Sequence, residues 1–223
     1  MTCKPLLPAV CAPLALAACA TGLETVGGGS LAAQEAFWDA LSSHCGGDRP
    51  GMAYAGGLVS DDARDADWAG KRMVAHWAEC SADRVAIAFH VEDAEASGGW
   101  NRSRTWIVTR SGAGPDMRLT LKHDHRHADG EADAVTFYGG TTADAGAARG
   151  QDFPVDAESI ALFTREGLDA SLTNVWRVEV DPADTSDGLF AYQLTRRNDP
   201  ARLFRVEMRL SDPVAAPPPA WGW

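Results

Sequence analysis

Leu119-Thr120-Leu121-Lys122-His123-Asp124-His125-Arg126-His127 is the stretch on which the reading of this chain turns. Successive side chains on a strand point to opposite faces. Leu119, Leu121, His123, His125 and His127 therefore share one side, and Arg118, Thr120, Lys122, Asp124 and Arg126 the other. A strand whose inward face passes from leucine to imidazole predicts a core that opens at one end into a polar cavity or rim.

Outward from this stretch the same period recurs. Strands are expected near 53–60, 71–80, 83–91, 104–110, 117–127, 134–138, 173–181, 189–196 and 202–210, separated by turn-forming clusters. The last three alternate most cleanly: Trp176, Val178 and Val180 oppose Arg177 and Glu179, and Phe204, Val206, Met208 and Leu210 oppose Arg205, Glu207 and Arg209. Phe190, Tyr192 and Leu194 follow the same rule. Eight or nine short strands with one wet and one buried face predict a mainly β fold, a single antiparallel up-and-down barrel that removes its edges by closing on itself. The alternative is a two-layer β-sandwich.

Two helices interrupt the series. Ser30 is placed to cap an N-terminal amphipathic helix over 31–44, with Phe37, Trp38, Leu41 and Cys45 on one face and Gly46-Gly47 as its stop. It is expected to cover an open end or side of the body. Asp156 is placed to cap a short inserted helix over 157–166, ended by Gly167, with Ile160 and Phe163 apolar. This second helix is expected to serve as a lid or plug.

The formal net charge of -11 excludes a general nucleic-acid binder. At 223 residues and 45% hydrophobic content, one main domain is the default. The N-terminus reads as an address. Lys4 precedes an apolar run over 6–18 that is too short to span a bilayer, which needs about 20 apolar residues, and the run ends in small residues before a cysteine. Leu16-Ala17-Ala18-Cys19 resembles the lipobox of bacterial lipoproteins. The resemblance implies a signal peptide over 1–18, a lipid anchor on Cys19, and attachment to the cell envelope at the outer membrane, facing the periplasm. A flexible tether over 19–30, a barrel domain over 31–213 and a proline-rich tail over 214–223 complete the division.

With Cys3 and Cys11 in the leader and Cys19 lipidated, Cys45 and Cys80 are the thiols left to the mature domain. A bridge between them, closing a loop of about 35 residues, would contribute about 3–4 kcal/mol in an oxidising compartment.

The body also resembles a group of exported bacterial proteins that carry the run Lys122-His123-Asp124-His125-Arg126-His127 followed by Tyr138-Gly139-Gly140. That group has no established activity, so the resemblance transfers no catalytic role. At fold level the body is similar to the calycins, small ligand-holding barrels.

Two constellations carry chemistry. Neighbouring inward positions lie about 6.6 Å apart, which lets His123 and His125 converge on one divalent metal such as zinc. His127, about 13 Å from His123, is too far to join them without a bulge. Further ligands would come from His76, His90, Asp129 or Glu131, although His90 shares its parity with Ala86 and Ala88 and so points away from the core. The second constellation is basic: Arg102, Arg104, Arg110, Arg118, Lys122 and Arg126 lie against Asp116 and Asp124. A hairpin would gather them into one patch suited to phosphate or carboxylate. His123, His125, His127, Arg104 and Arg126 are thus the candidate ligand-binding residues for a small anionic or amphiphilic ligand. Metal binding would weaken as pH falls through the histidine range near ~6.5, whereas anion binding would strengthen through imidazolium formation.

No Gly-x-Ser-x-Gly elbow, His-Glu-x-x-His or Walker loop is present, and no catalytic residue is assigned. Three roles compete: a ligand-binding envelope lipoprotein, a structural or interaction lipoprotein without a cavity, and a histidine-dependent metal binder.

Overall fold

The computed structural model describes residue 1 and residues 28–47, 51–112 and 116–223. The leader, Cys19 and most of the expected tether lie outside the described residues. Ten antiparallel strands form one sheet: β1 (Ala53–Leu58), β2 (Met73–Cys80), β3 (Arg84–Glu92), β4 (Trp100–Ser111), β5 (Arg118–His125), β6 (Tyr138–Thr141), β7 (Gly150–Pro154), β8 (Asn174–Val180), β9 (Leu189–Arg196) and β10 (Asp199–Pro213). Each strand pairs with its sequence neighbours, and β10 returns to pair with β1. Only the seam between β6 and β7 lacks a ladder, and there a single bridge, Gly140 to Val155, joins the two. The fold is a single, nearly closed antiparallel barrel.

The strands form where the alternation predicts because each buries one face. Leu119 and Leu121 of β5, Trp106 and Val108 of β4, and Val206 and Met208 of β10 meet inside one continuous core. His90, with Ala86 and Ala88, takes the opposite face of β3, as its parity requires.

The seam is possible because of two glycines. A Cβ on Gly139 would lie 1.8 Å from the Leu121 carbonyl oxygen, and one on Gly140 would lie 2.0 Å from that of Pro154. Any side chain there would push the edges apart. Neither edge matches its expectation. The strand expected over 134–138 begins instead at Tyr138, because Asp133 and Thr136 side chains bond the backbone nitrogens of Val135 and His125, and Phe137 sits at a left-handed φ of 54°. Side-chain bonds of this kind compete with a ladder. β7 was not expected at all, since five residues containing Gly150 and Pro154 carry little alternation.

Helix α1 (Gly28–Ser42) closes one end of the barrel. Phe37, Trp38 and Leu41 enter the core, and the Trp77 indole donates to the Leu41 carbonyl at 2.9 Å. The helix starts earlier than expected: Gly28 to Ser30 belong to its first turn rather than to a tether. Glycine in a helix costs only about 1 kcal/mol, less than docking this face returns. Just after the helix, Cys45 is disulfide-bonded to Cys80 at the end of β2, with Cα atoms 6.1 Å apart. Helix α2 (Ala157–Arg165) is capped by the Asp156 carboxylate, which accepts from the Ser159 nitrogen at 2.9 Å. It closes the seam rather than an open end: the Ser159 hydroxyl accepts from the Gly139 nitrogen at 2.7 Å, and Phe163 packs on Tyr138. The C-terminal residues do not fray. They bond Ala53 of β1 through Val214 and Arg102 of β4 through Pro219 and Trp221, and so cross the outer face of β2 and β3.

Candidate functional site

At the end of the barrel opposite α1, inward side chains stop filling the interior and leave a cavity of about 150 Å³. The wall follows from strand parity. Phe89, Trp106, Tyr192 and Phe204 come from β3, β4, β9 and β10, and Trp68 comes from a 3-10 segment, Ala63–Trp68, in the β1–β2 connection. The rings form a closed circuit. Trp68 faces Phe89 (6.2 Å between centroids), Phe89 stacks on Trp106 (4.4 Å) and Trp106 on Tyr192 (4.4 Å). Phe204 completes it edge-on, at 6.3 Å from Tyr192 and 5.4 Å from Trp68.

Three polar groups enter this aromatic wall. The first is Arg104, whose guanidinium lies over Trp68, with Cζ 4.8 Å from the ring centroid. Its Nη1 donates to the Ser103 hydroxyl at 3.0 Å, and no carboxylate among the described residues is within ion-pairing distance. Burial pulls its pKa down, while Tyr138, Tyr192 and Asp133 pull it up. A guanidinium nevertheless keeps its charge at any ordinary pH. The second group is the buried Arg202–Asp65 pair. Arg202 Nη2 donates to Asp65 Oδ1 at 2.9 Å, Nη1 bonds the other Asp65 oxygen, and Nη1 reaches Asp62 at 3.1 Å. Burial opposes the Arg202 charge, but its two carboxylate partners outweigh it and raise the pKa. This arginine is neutralised in place.

The third group is the histidine pair. His123 Nδ1 lies 3.1 Å from the Tyr138 carbonyl oxygen, which only accepts, so Nδ1 carries the proton. Nε2 is then the acceptor, taking the Tyr192 hydroxyl proton at 2.7 Å. His125 Nε2 meets the Tyr138 hydroxyl at 3.1 Å. Burial drives the His123 pKa down to about 3, reinforced by His125 and Arg104, against the Tyr138 hydrogen bond. Burial and then Arg104 hold His125 at about 4, although Asp133 and Asp124 oppose them. Burial likewise pushes the Tyr138 hydroxyl up to about 12. At neutral pH the imidazoles and phenols are uncharged, and among the described lining residues Arg104 supplies the one charge without an ion-pair partner.

Of the residues expected here, the structure brings together His123, His125 and Arg104. It excludes two. β5 ends at His125, and a turn in which the Gly130 nitrogen bonds the His127 carbonyl carries His127 out to solvent, with its Nε2 3.5 Å from Asp133. Arg126 takes the outward parity of Asp124 and pairs with it at 2.9 Å. The expected basic patch does not assemble: Lys122 pairs with Asp156 and Glu158, Arg110 with Asp83, and Arg102 donates to the Pro219 carbonyl, while Arg104 points inward. The metal expectation meets a similar obstacle. Both His123 nitrogens are already bonded to the barrel, and among the described residues no group of three or more His, Cys, Asp or Glu side chains is placed to hold an ion. With His125 held at about 4, imidazolium formation lies too low to supply the anion-binding charge above pH 5.

Sequence reasoning missed Trp68, Asp65 and Arg202, and it did not assign Phe89, Trp106 or Tyr138 to the site. A 3-10 segment inside a connection has no periodicity to announce it, and Arg202 reads as one more charged strand residue. Against this geometry, no protein-family model, no curated protein and no solved structure matches the chain.

Proposed function

We propose that the protein is an exported envelope lipoprotein, anchored through Cys19 at the outer membrane and facing the periplasm, whose barrel binds a small anionic ligand. The observation that carries the binding role is Arg104: a charged guanidinium, set among aromatic rings and facing a cavity, without a carboxylate partner among the described residues. Burying a charge without a counter-ion costs several kcal/mol, and an anion entering the cavity would remove that cost. Export is supported by the lipobox-like Leu16-Ala17-Ala18-Cys19 and by the Cys45–Cys80 bridge, a device of oxidising compartments.

Calorimetric titration of the mature domain with acetate and with inorganic phosphate tests the binding role. Binding of at least one anion, weakened tenfold or more by Arg104→Gln, is the expected result. Identical titrations of wild type and variant would overturn it. Because the charge resides on arginine, acetate affinity should stay nearly constant between pH 8 and pH 6. Export is tested separately, by labelled palmitate: wild type should take up label and Cys19→Ala should not.

A structural or interaction role is the second reading, and the size of the cavity favours it: about 150 Å³ is below the ~300–1,000 Å³ of ordinary ligand pockets. On that reading Arg104 serves only to hold Trp68 over the barrel mouth, and no small anion binds.

A further inference from the structure

The cavity specifies more than a negative charge. Its wall is a closed circuit of five aromatic side chains, and three of them, Phe89, Trp106 and Tyr192, lie with interplanar angles of only 22° and 17° between successive rings. Trp68 continues the set, at 10° to Phe89. Open ring faces would suit a cation, being electronegative, although Phe89 and Tyr192 stack over the faces of Trp106. Here that option is closed, since the Arg104 guanidinium already lies over Trp68 and Arg202 lies 5.9 Å from the Phe204 centroid. A second cation would meet like charge in a low-dielectric space.

Counting charge narrows the class further. Arg202 is satisfied by Asp65 and Asp62, and so among the described lining residues Arg104 is left to balance a ligand. One guanidinium neutralises one negative charge, and its fork of donors matches a carboxylate's two oxygens. A dianion such as phosphate would bring a second charge against aromatic walls that offer it nothing. Volume sets the size. A cavity near 150 Å³ accommodates a benzene-sized molecule, so the space is adequate for one ring and a small substituent and too small for a fatty acyl chain.

We infer that the ligand is a flat aromatic monocarboxylate, its carboxylate on Arg104 and its ring against the aromatic circuit of Trp68, Phe89, Trp106, Tyr192 and Phe204. This rests on the reading of the cavity as an anion-binding site. Offset or edge-on ring contacts contribute about 0.5–1.5 kcal/mol each beyond area burial, and thus separate an aromatic acid from an aliphatic one.

The test is a titration series on the mature wild-type domain with benzoate, benzamide, acetate and inorganic phosphate, followed by benzoate on Arg104→Gln and Trp68→Ala. Benzoate should bind at least tenfold tighter than any of the other three. Arg104→Gln should weaken benzoate by tenfold or more, and Trp68→Ala should bring it toward acetate. If either variant fails to fold, the wild-type comparison still decides, because benzamide keeps the ring and the shape but lacks the charge. Benzoate no tighter than acetate, or phosphate tighter than benzoate, would overturn the aromatic assignment. In that case the anion site itself would stand if acetate or phosphate binding still required Arg104. Benzamide binding as well as benzoate would overturn the role of the charge, and no binding by any anion would remove the site altogether.

Discussion

Two histidine pairs lie on opposite faces of the same sheet, and they differ in everything except burial. Inside, His123 and His125 sit side by side on β5 with partners at their ring nitrogens: Tyr138 and Tyr192 for the first, Tyr138 for the second. Outside, His76 of β2 and His90 of β3 sit diagonally across one ladder, beneath the crossing C-terminal residues, and none of their four ring nitrogens has a hydrogen-bond partner among the described residues. Burial lowers the pKa in both pairs, that of His90 to about 4. A depressed histidine pKa is therefore no mark of function in this protein. What sets the inner pair apart is that its bonds fix ring orientation beside a guanidinium without an ion-pair partner among the described residues, whereas the outer pair is carried at a cost.

The largest effect expected from this comparison is shared by both pairs. Each of these imidazoles has a folded pKa below the unfolded value of ~6.5. Below pH 6.5 the unfolded chain therefore binds protons that the folded chain refuses, and stability falls until the folded pKa is reached. For His90, His123 and His125, with folded values of about 4, about 3 and about 4, the window is pH 6.5 to about 3–4. Each should have lost about 2 kcal/mol by pH 5, at 1.36 kcal/mol per unit. Three such losses approach the whole stability of an ordinary domain, about 5–15 kcal/mol. Urea unfolding at pH 8, 6.5 and 5 should show the midpoint falling slightly over the first interval and steeply over the second. A midpoint unchanged at pH 5 would mean that neither pair is held neutral.

A smaller change separates the pairs. His123→Leu removes the donor to the Tyr138 carbonyl and the acceptor of the Tyr192 hydroxyl, leaving two buried polar groups unpaired at about 1–3 kcal/mol each. Stability at pH 8 should drop by about 2–6 kcal/mol, and the drop should shrink at pH 5 because the variant no longer carries that proton-linked penalty. An equal loss at both pH values would contradict the neutral, doubly bonded imidazole.

How much of this was legible in the sequence follows from where the decisive partners lie. Alternation exposed the barrel, because parity is local: Leu119, Leu121 and His123 declare their side within five residues. Arg104 declared its side too, standing two and four positions from Trp106 and Val108, yet grouping it with the other cations of β4 and β5 hid that signal. The pairing of Tyr192 with His123 was not legible, since it joins residues 69 apart in sequence across the interior. Nor was the seam, where Gly139 and Gly140 act through the space they leave open rather than through any pattern. His127 was misplaced because periodicity has no means of saying where a strand ends. The turn that ends it depends on backbone bonds among His127, Gly130 and Glu131.

The smallest effect is the one with the sign reversed. His90 is 0% exposed, and neither of its nitrogens is bonded. Its closest ring neighbour, Trp100, lies edge-on at 6.4 Å, and Arg102 on the adjacent strand adds to the cost of charging it. Replacing it by leucine breaks no hydrogen bond, keeps a side chain of similar bulk among Ala86, Ala88 and the C-terminal residues, and removes an imidazole whose desolvation nothing repays. His90→Leu should therefore raise stability at pH 8 by about 1 kcal/mol, and by more at pH 5, where the proton-linked penalty of the wild type has set in. Urea midpoints of the variant and of wild type at the two pH values read this directly. A loss of stability at pH 8 would show that the ring has a partner after all, a buried water being the natural one, and the contrast between the two faces would then come down to which partner each pair uses.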